Sequence, residues 1–351
     1  MLQGSLLFFV LFLIVILGIL MFDLLILGRK SHEVSMREAA TWTGIWVLFA
    51  LLFAVFLMFF GEFVHGIANE EELKIVLAKY YSYLTPDYGS FELGLSLLRK
   101  NLAVNFISGY LIEESLSIDN LFVIMAILSA FSVNKSDYKR VLFWGILGAI
   151  ILRFIFIFAG AALINRFEWM LYVFGTYLLY VGVKMYLDRN REIRVEPQNH
   201  PLVKFLSRRL NVFPRYVGGR FFIKKETTIY ITPLFIVLIM IELSDLIFAL
   251  DSIPAIFGIT RDPYIVFFSN IFAILGLRSL FFLLVKVVEK FYLLKVGVSL
   301  LLVFVGLKLI AHEWLVHIGY KPVYSLFVIS GILVLSIIFS MLFPRKVSDH
   351  V

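Results

Sequence analysis

The chain has 351 residues, of which 61% are hydrophobic and 16% charged, against about 25% charged in a typical soluble domain. This balance excludes a disordered chain, argues against a soluble enzyme, and is that of an all-α, polytopic membrane protein. The absence of cysteine excludes disulfides, zinc–thiolate sites and thiol nucleophiles. The formal charge of +7 reads as topology and lipid contact, with no nucleic-acid partner.

A spanning helix needs about 20 apolar residues. Nine stretches qualify in chain order: 6–27, 42–64, 102–131, 141–164, 167–187, 229–258, 264–285, 291–311 and 323–343. The first has no Lys or Arg before it and no small-residue cleavage site after it, so it reads as a retained helix rather than a signal peptide. Residues 1–101 then hold two helices and an outer loop, 65–101. Residues 102–187 hold three helices, 188–228 form a basic loop, 229–311 hold three more helices, and 312–351 are a last helix and tail. With the N-terminus outside, the inner segments carry 20 Lys and Arg and the outer ones 7. That bias predicts a multi-pass protein of the inner (plasma) membrane, N-terminus out and C-terminus in the cytoplasm. The ten basic residues of 188–228 read first as a cytoplasmic loop and second as a lipid-binding or regulatory segment.

The third and sixth stretches are related. Each has an acid, five residues, then an Asp followed by a small polar residue: Glu113…Asp119-Asn120 and Asp245…Asp251-Ser252, offset by 132. One stretch later come Leu152-Arg153 and Leu277-Arg278, offset by 125. After them come Val181-Gly182-Val183-Lys184 and Val305-Gly306-Leu307-Lys308, offset by 124. Three matched features in one order indicate an internal repeat of three helices. An odd number of crossings inverts the second copy, the arrangement of many secondary transporters.

Glu113, Glu114, Asp119, Glu242, Asp245, Asp251, Arg153 and Arg278 all fall within spans. Each unpaired charge at a helix centre costs about 2.5–3.5 kcal/mol on insertion scales. Two arginines, read as counter-ions, cannot neutralise six carboxylates, so protons or a cation must take up the rest. An acid and an Asp six residues apart point some 120° apart on a straight helix. Their convergence predicts an unwound backbone, for which Pro254 supplies a reason in the second copy. Ser117 and Asn120 extend a polar stripe from Glu113. The donors are nearly all oxygen, which suits Mn²⁺, Mg²⁺ or Ca²⁺. Met125 and Met240 read mainly as packing, and Lys184 and Lys308 either snorkel or serve the site. The six histidines lie in loops or span ends. His312-Glu313-Trp314-Leu315-Val316-His317 is one residue too long for a zincin motif and reads as outer loop. No P-loop, aspartyl-protease motif or nucleophile elbow is present, so no enzyme is expected.

The stretches EESLSIDNLFV (113–123) and ELSDLIFALDSIPA (242–255) resemble the paired signatures of the TerC family, including its Alx-type members. The likeness extends through GILGAIILR (145–153), NIFAILGLR (270–278) and the VGxK endings, over about residues 102–311. The resemblance implies a divalent-metal transporter, chiefly a Mn²⁺ exporter. It implies Glu113, Asp119, Asp245 and Asp251 as metal-handling acids, with Asn120 and Glu242 beside them. Glu114 is the expected proton-coupling acid, Mn²⁺ the transported ion, and no permanently bound cofactor is expected. The rival readings are a membrane scaffold of a stress-resistance complex and a divalent-cation channel.

Overall fold

The computed structural model describes residues 2–22, 35–82, 84, 89–167, 169–188, 203, 210–225, 228–284, 293–317, 320 and 322–343. The protein is an all-α, polytopic helical bundle, with one small hairpin among the described residues. Helix α1 (Leu2–Phe22) is followed by α2 (Met36–Phe60), whose first turn is capped by Ser35 Oγ accepting from the Glu38 amide. Two short helices come next, α3 (Glu62–His65) and α4 (Glu70–Tyr80). Gly66 ends α3 at φ 63°, in the left-handed region that favours glycine. Asn69 caps α4, and three glutamates in its first turn complement the helix dipole.

Helix α5 (Phe91–Ala130) has 40 residues and starts eleven positions before the predicted third span. At 1.5 Å per residue it is about 60 Å long, twice a hydrocarbon core of about 30 Å. Its first turns therefore belong with α3 and α4 in a cap at one end of the bundle, and 65–101 is largely helical rather than loop. Helices α6 (Lys135–Arg166) and α7 (Met170–Leu187) follow. At the end of the basic segment, β1 (Phe222–Lys225) pairs antiparallel with β2 (Thr228–Ile231), which takes the first residues of the predicted sixth span; the hydropathy pattern did not announce this hairpin. The hairpin packs on the α5–α6 turn, where Tyr216 donates to the Phe131 carbonyl at 2.7 Å. The remaining helices are α8 (Pro233–Phe257), α9 (Pro263–Leu284), α10 (Leu294–Ile310), α11 (His312–His317) and α12 (Pro322–Leu342).

Among the described residues, six helices are long and apolar enough to cross a membrane, α2, α6, α7, α8, α9 and α12. Shorter apolar runs occupy 4–19 and 296–310, while α5 is long but carries the buried acids. Helices α5 and α9 lie at the centre, packed on each other and on α2, α6 and α8. Phe12, Phe53, Phe106, Phe268 and Phe272 interlock there, with ring centroids 4.4–5.5 Å apart across the closest pairs. The outer faces of α1, α2, α7 and α12 expose Leu, Ile, Val and Phe, as lipid contact requires.

Two further expectations are corrected. The backbone does not unwind between Glu113 and Asp119 or between Asp245 and Asp251, because α5 and α8 run unbroken through both stretches, Pro254 included. Side chains converge between helices instead of along one. Residues 312–317 form a short helix rather than loop.

Helices α7 and α10 touch backbone to backbone. A Cβ on Gly175 would lie 2.9 Å from the Gly306 carbonyl, and one on Gly306 would lie 2.8 Å from the Gly175 carbonyl. Small residues at such crossings let membrane helices approach closely.

Candidate functional site

Arg153, near the middle of α6, is 1% exposed. Its Nη1 donates to the Glu113 carboxylate of α5 and, at 2.5 Å, to Asn270 Oδ1 of α9. Its Nη2 donates to Asp245 Oδ1 of α8 at 3.3 Å. Asp245 also accepts from Asn120 Nδ2 of α5 at 2.7 Å. One guanidinium thus joins four helices and both halves of the chain. A buried arginine survives only with such partners.

The cluster holds two carboxylates against one guanidinium, and its hydrogen bonding is incomplete. Glu113 Oε2, Asp245 Oδ2, Asn120 Oδ1, Ser117 Oγ and Ser252 Oγ are buried without a hydrogen-bond partner. Unmet buried acceptors are costly, so several on one site mark a place for water or a cation. Beside them is a small pocket lined by Asn120, Asp245, Ile124, Leu142, Gly145 and Ile241. It lies between α5, α6, α8 and α9, on the side of the cluster nearer the α5–α6 turn.

The other candidate residues are placed differently. Glu114 is rotated about 100° from Glu113 on α5 and faces α9 instead, its Oε1 3.8 Å from where a Cβ on Gly276 would stand. Glu242 folds over Gly148 of α6, where a Cβ would come within 2.2 Å of its carboxylate. Each of these acids has one carboxylate oxygen without a partner. Arg278 lines a second small pocket, with Glu38, Trp42, Trp46, Lys139 and Ser279. The backbones of Asp119 and Asp251 lie in α5 and α8, but their side chains are outside the described residues. Among the described residues, no three His, Asp or Glu side chains gather as a metal-binding group.

Asn270 was missed by sequence reasoning, although an asparagine inside an apolar stretch is itself a costly choice. A second buried constellation was also missed. His65 Nε2 lies 2.7 Å from Asp262 Oδ2, and the Tyr81 hydroxyl donates to the same oxygen at 2.8 Å. Asp262 Oδ1 accepts from the Tyr264 amide at 3.0 Å. Burial, and then the Asp262 carboxylate beside it, pushes the Tyr80 phenol well above its ordinary pKa. These contacts pin the α3–α4 cap onto the α8–α9 corner. No periodicity links residues almost 200 positions apart, so no sequence signal marked them. Of the two lysines that close the repeats, Lys184 is exposed, while Lys308 donates to Ser325 Oγ at 2.8 Å.

A bundle with an apolar exterior and charged side chains joined across its centre defines an integral, multi-pass membrane protein. The chain belongs to the TerC family, whose model, described as the integral membrane protein TerC family, matches residues 98–348. It is 42% identical to the uncharacterized membrane protein STKORF319 of Myxococcus xanthus, over 95% of this chain and 92% of that one. It is also 42% identical to Alx of Salmonella typhi, over 93% and 91% of the two chains. Alx of Escherichia coli strain K12 matches at 42% over 93% and 92%. Both Alx proteins bear the name "Putative membrane-bound redox modulator Alx". No solved structure matches the chain.

Proposed function

We propose that this protein is a secondary transporter that exports a divalent cation, Mn²⁺ foremost, from the cytoplasm in exchange for protons. The observation that carries the reading is the Glu113–Arg153–Asp245 cluster. It holds two buried carboxylates from the two halves, one guanidinium between them, and unpartnered oxygens beside a cavity. In the cation-free state Arg153 holds both acids. A divalent ion carries the charge that two carboxylates need, and it displaces the guanidinium from them. Asp119, Asp251, Asn120 and Glu242 complete the oxygen donor set, which suits a hard or borderline cation. The ion is cargo, and no resident cofactor or catalytic step is invoked.

Contacts between the halves support the inverted repeat. Asn120 meets Asp245, and Gly109 lies against Ile256, so α5 and α8 run antiparallel in one register. That register sets Ser252 level with Glu113. Positions 252 and 113 are what the 132-residue offset gives from 120 and 245. In the third helices, Gly182 meets Ser299 and Val303, while Gly306 meets Gly175 and Leu179. The 124-residue offset takes 175 to 299, 179 to 303 and 182 to 306. Such reciprocity is what a two-fold relation between copies requires. The 20 to 7 bias of basic residues supports an N-terminus outside and a C-terminus in the cytoplasm of the plasma membrane.

The name of the Alx relatives suggests an effect on redox state. Without cysteine, such an effect here would act through the cation moved rather than through a thiol pair. The reading is tested by Mn²⁺ uptake into liposomes holding the purified protein, where a scaffold moves none. Asp119→Asn and Asp251→Asn should abolish uptake while leaving expression intact. Anomalous scattering from a Mn²⁺-soaked crystal should place the ion among Glu113, Asn120 and Asp245. Full uptake by Asp119→Asn would remove that residue from the site.

A further inference from the structure

The pocket meets the cluster on the side of the α5–α6 turn. On the other side of Glu113 the interior stays polar. Asn105 is fully buried in α5, and neither its Oδ1 nor its Nδ2 has a hydrogen-bond partner. An amide in that state is costly unless water or an ion visits it. Asn105, Gly109 and Glu113 recur every four residues, so they share one face of α5, each step drifting about 40°. Gly109 fixes where that face points. A Cβ there would come within 2.8 Å of Ser269 Oγ on α9 and 3.1 Å of Ile256 Cγ2 on α8. The stripe therefore follows the seam between α5, α8 and α9. The α5–α8 register, carried on one turn, sets Asn105 level with Thr260, two residues before the buried Asp262.

We propose that Asn105 is a second cation subsite, a stop between the central cluster and the end of the bundle closed by His65, Tyr81 and Asp262. It would take a partly hydrated divalent cation through its amide oxygen, with Ser269 on the way from the cluster. Ile256 against Gly109 is the constriction that shuts this half of the path in the present state. The inference rests on the transport reading and gives it an exit route.

The chain has no cysteine, so a single introduced thiol reports alone. Full-length Asn105→Cys and Asn120→Cys in membrane vesicles of both orientations would be treated with a membrane-impermeant, cationic methanethiosulfonate. The two thiols should react from opposite faces. Mn²⁺ at about ten times the dissociation constant measured for that variant should slow the reaction at Asn105→Cys about tenfold. Asn105→Ala, which adds no bulk, should raise the KM for Mn²⁺ about tenfold with its melting temperature unchanged. Failure of Asn105→Cys to react from either face while Asn120→Cys reacts would overturn the subsite. So would reaction unaffected by Mn²⁺ in a protein whose wild type carries Mn²⁺. If the wild type carries no Mn²⁺ but Mg²⁺ or Ca²⁺ protects the thiol, the manganese reading falls and the subsite stands.

Discussion

Asn120 on α5 donates to Asp245 on α8 at 2.7 Å, joining residues 125 positions apart in the interior of the bundle. Asn120→Leu removes the donor and leaves the buried carboxylate short of a partner, at a cost of about 1–3 kcal/mol. A lower melting temperature in detergent and loss of Mn²⁺ uptake are expected together. Asn120→Asp keeps the shape and adds a negative charge beside Asp245, so it should be as unstable without metal and be rescued by added Mn²⁺. Unfolding followed with and without the ion separates the two variants. A melting temperature for Asn120→Asp that ignores Mn²⁺ would place the ion elsewhere.

Arg153 is the only basic side chain among the described residues shown bonded to Glu113 and Asp245. Removing one partner of a buried ionic cluster costs about 3–5 kcal/mol, because the acids left behind remain buried. Arg153→Ala should therefore express poorly, whereas Arg153→Lys keeps the charge and loses only the forked geometry. Arg153→Lys should fold but carry Mn²⁺ more slowly. Equal yields and melting temperatures for the two would contradict the pairing.

Gly148 gives Glu242 its position. A Cβ at 148 would meet the carboxylate at 2.2 Å, and that end of the side chain is the part free to swing away. Gly148→Ala should cost little stability, within about 1 kcal/mol, yet reduce uptake as far as Glu242→Gln does. The double variant should be no worse than either single one, since both act on the same group. Additive losses in uptake would show that Glu242 works from some other place.

The sequence made the charged layer legible because charges are rare and expensive in an apolar stretch. Glu113, Asp245 and Arg153 stood out for that reason, and the repeated motif, the TerC likeness and helix spacing placed Asn120 near them. It was not enough to say how the acids converge. Along one straight helix Glu113 and Asp119 diverge, and this suggested unwinding. The bundle instead brings Asp245 of α8 to Glu113 of α5, a tertiary pairing that no local period encodes. Gly148 was invisible because its role is to lack a side chain opposite Glu242. His65 and Asp262 were hidden because single polar residues near span ends are ordinary there.

The α7–α10 crossing should be sensitive to any added atom. A Cβ on Gly306 would stand 2.8 Å from the Gly175 carbonyl and 3.0 Å from the Leu179 amide, both backbone atoms that cannot rotate away. Gly306→Val should force the helices apart and lower stability by about 1–3 kcal/mol. Gly331 in α12 has nothing within 4 Å of its missing Cβ, so Gly331→Ala should be neutral or stabilise by up to about 1 kcal/mol. Thermal unfolding of both variants in one detergent makes the comparison. A Gly306→Val melting temperature equal to that of the wild type would mean the two helices slide freely.

Charge balance makes the case for proton exchange. The chain carries six acids in the two signature stretches and one arginine a helix later in each half, Arg153 and Arg278. After the arginines are counted, about four negative charges remain, and one divalent ion neutralises two of them. An interior of low dielectric does not hold the surplus bare, so entry of the ion should be matched by release of protons from the cluster as a whole. With protons more abundant outside, their inward flow would drive Mn²⁺ out. The measurement is made in proteoliposomes with a pH-sensitive dye inside, an imposed Mn²⁺ gradient and an ionophore that collapses the membrane potential. Movement of Mn²⁺ should acidify the compartment it leaves and make the one it enters more alkaline, and the pH signal should vanish in Asp245→Asn together with transport. If Mn²⁺ crosses with no linked pH change, the protein is a uniporter or channel and the exchange mechanism is wrong.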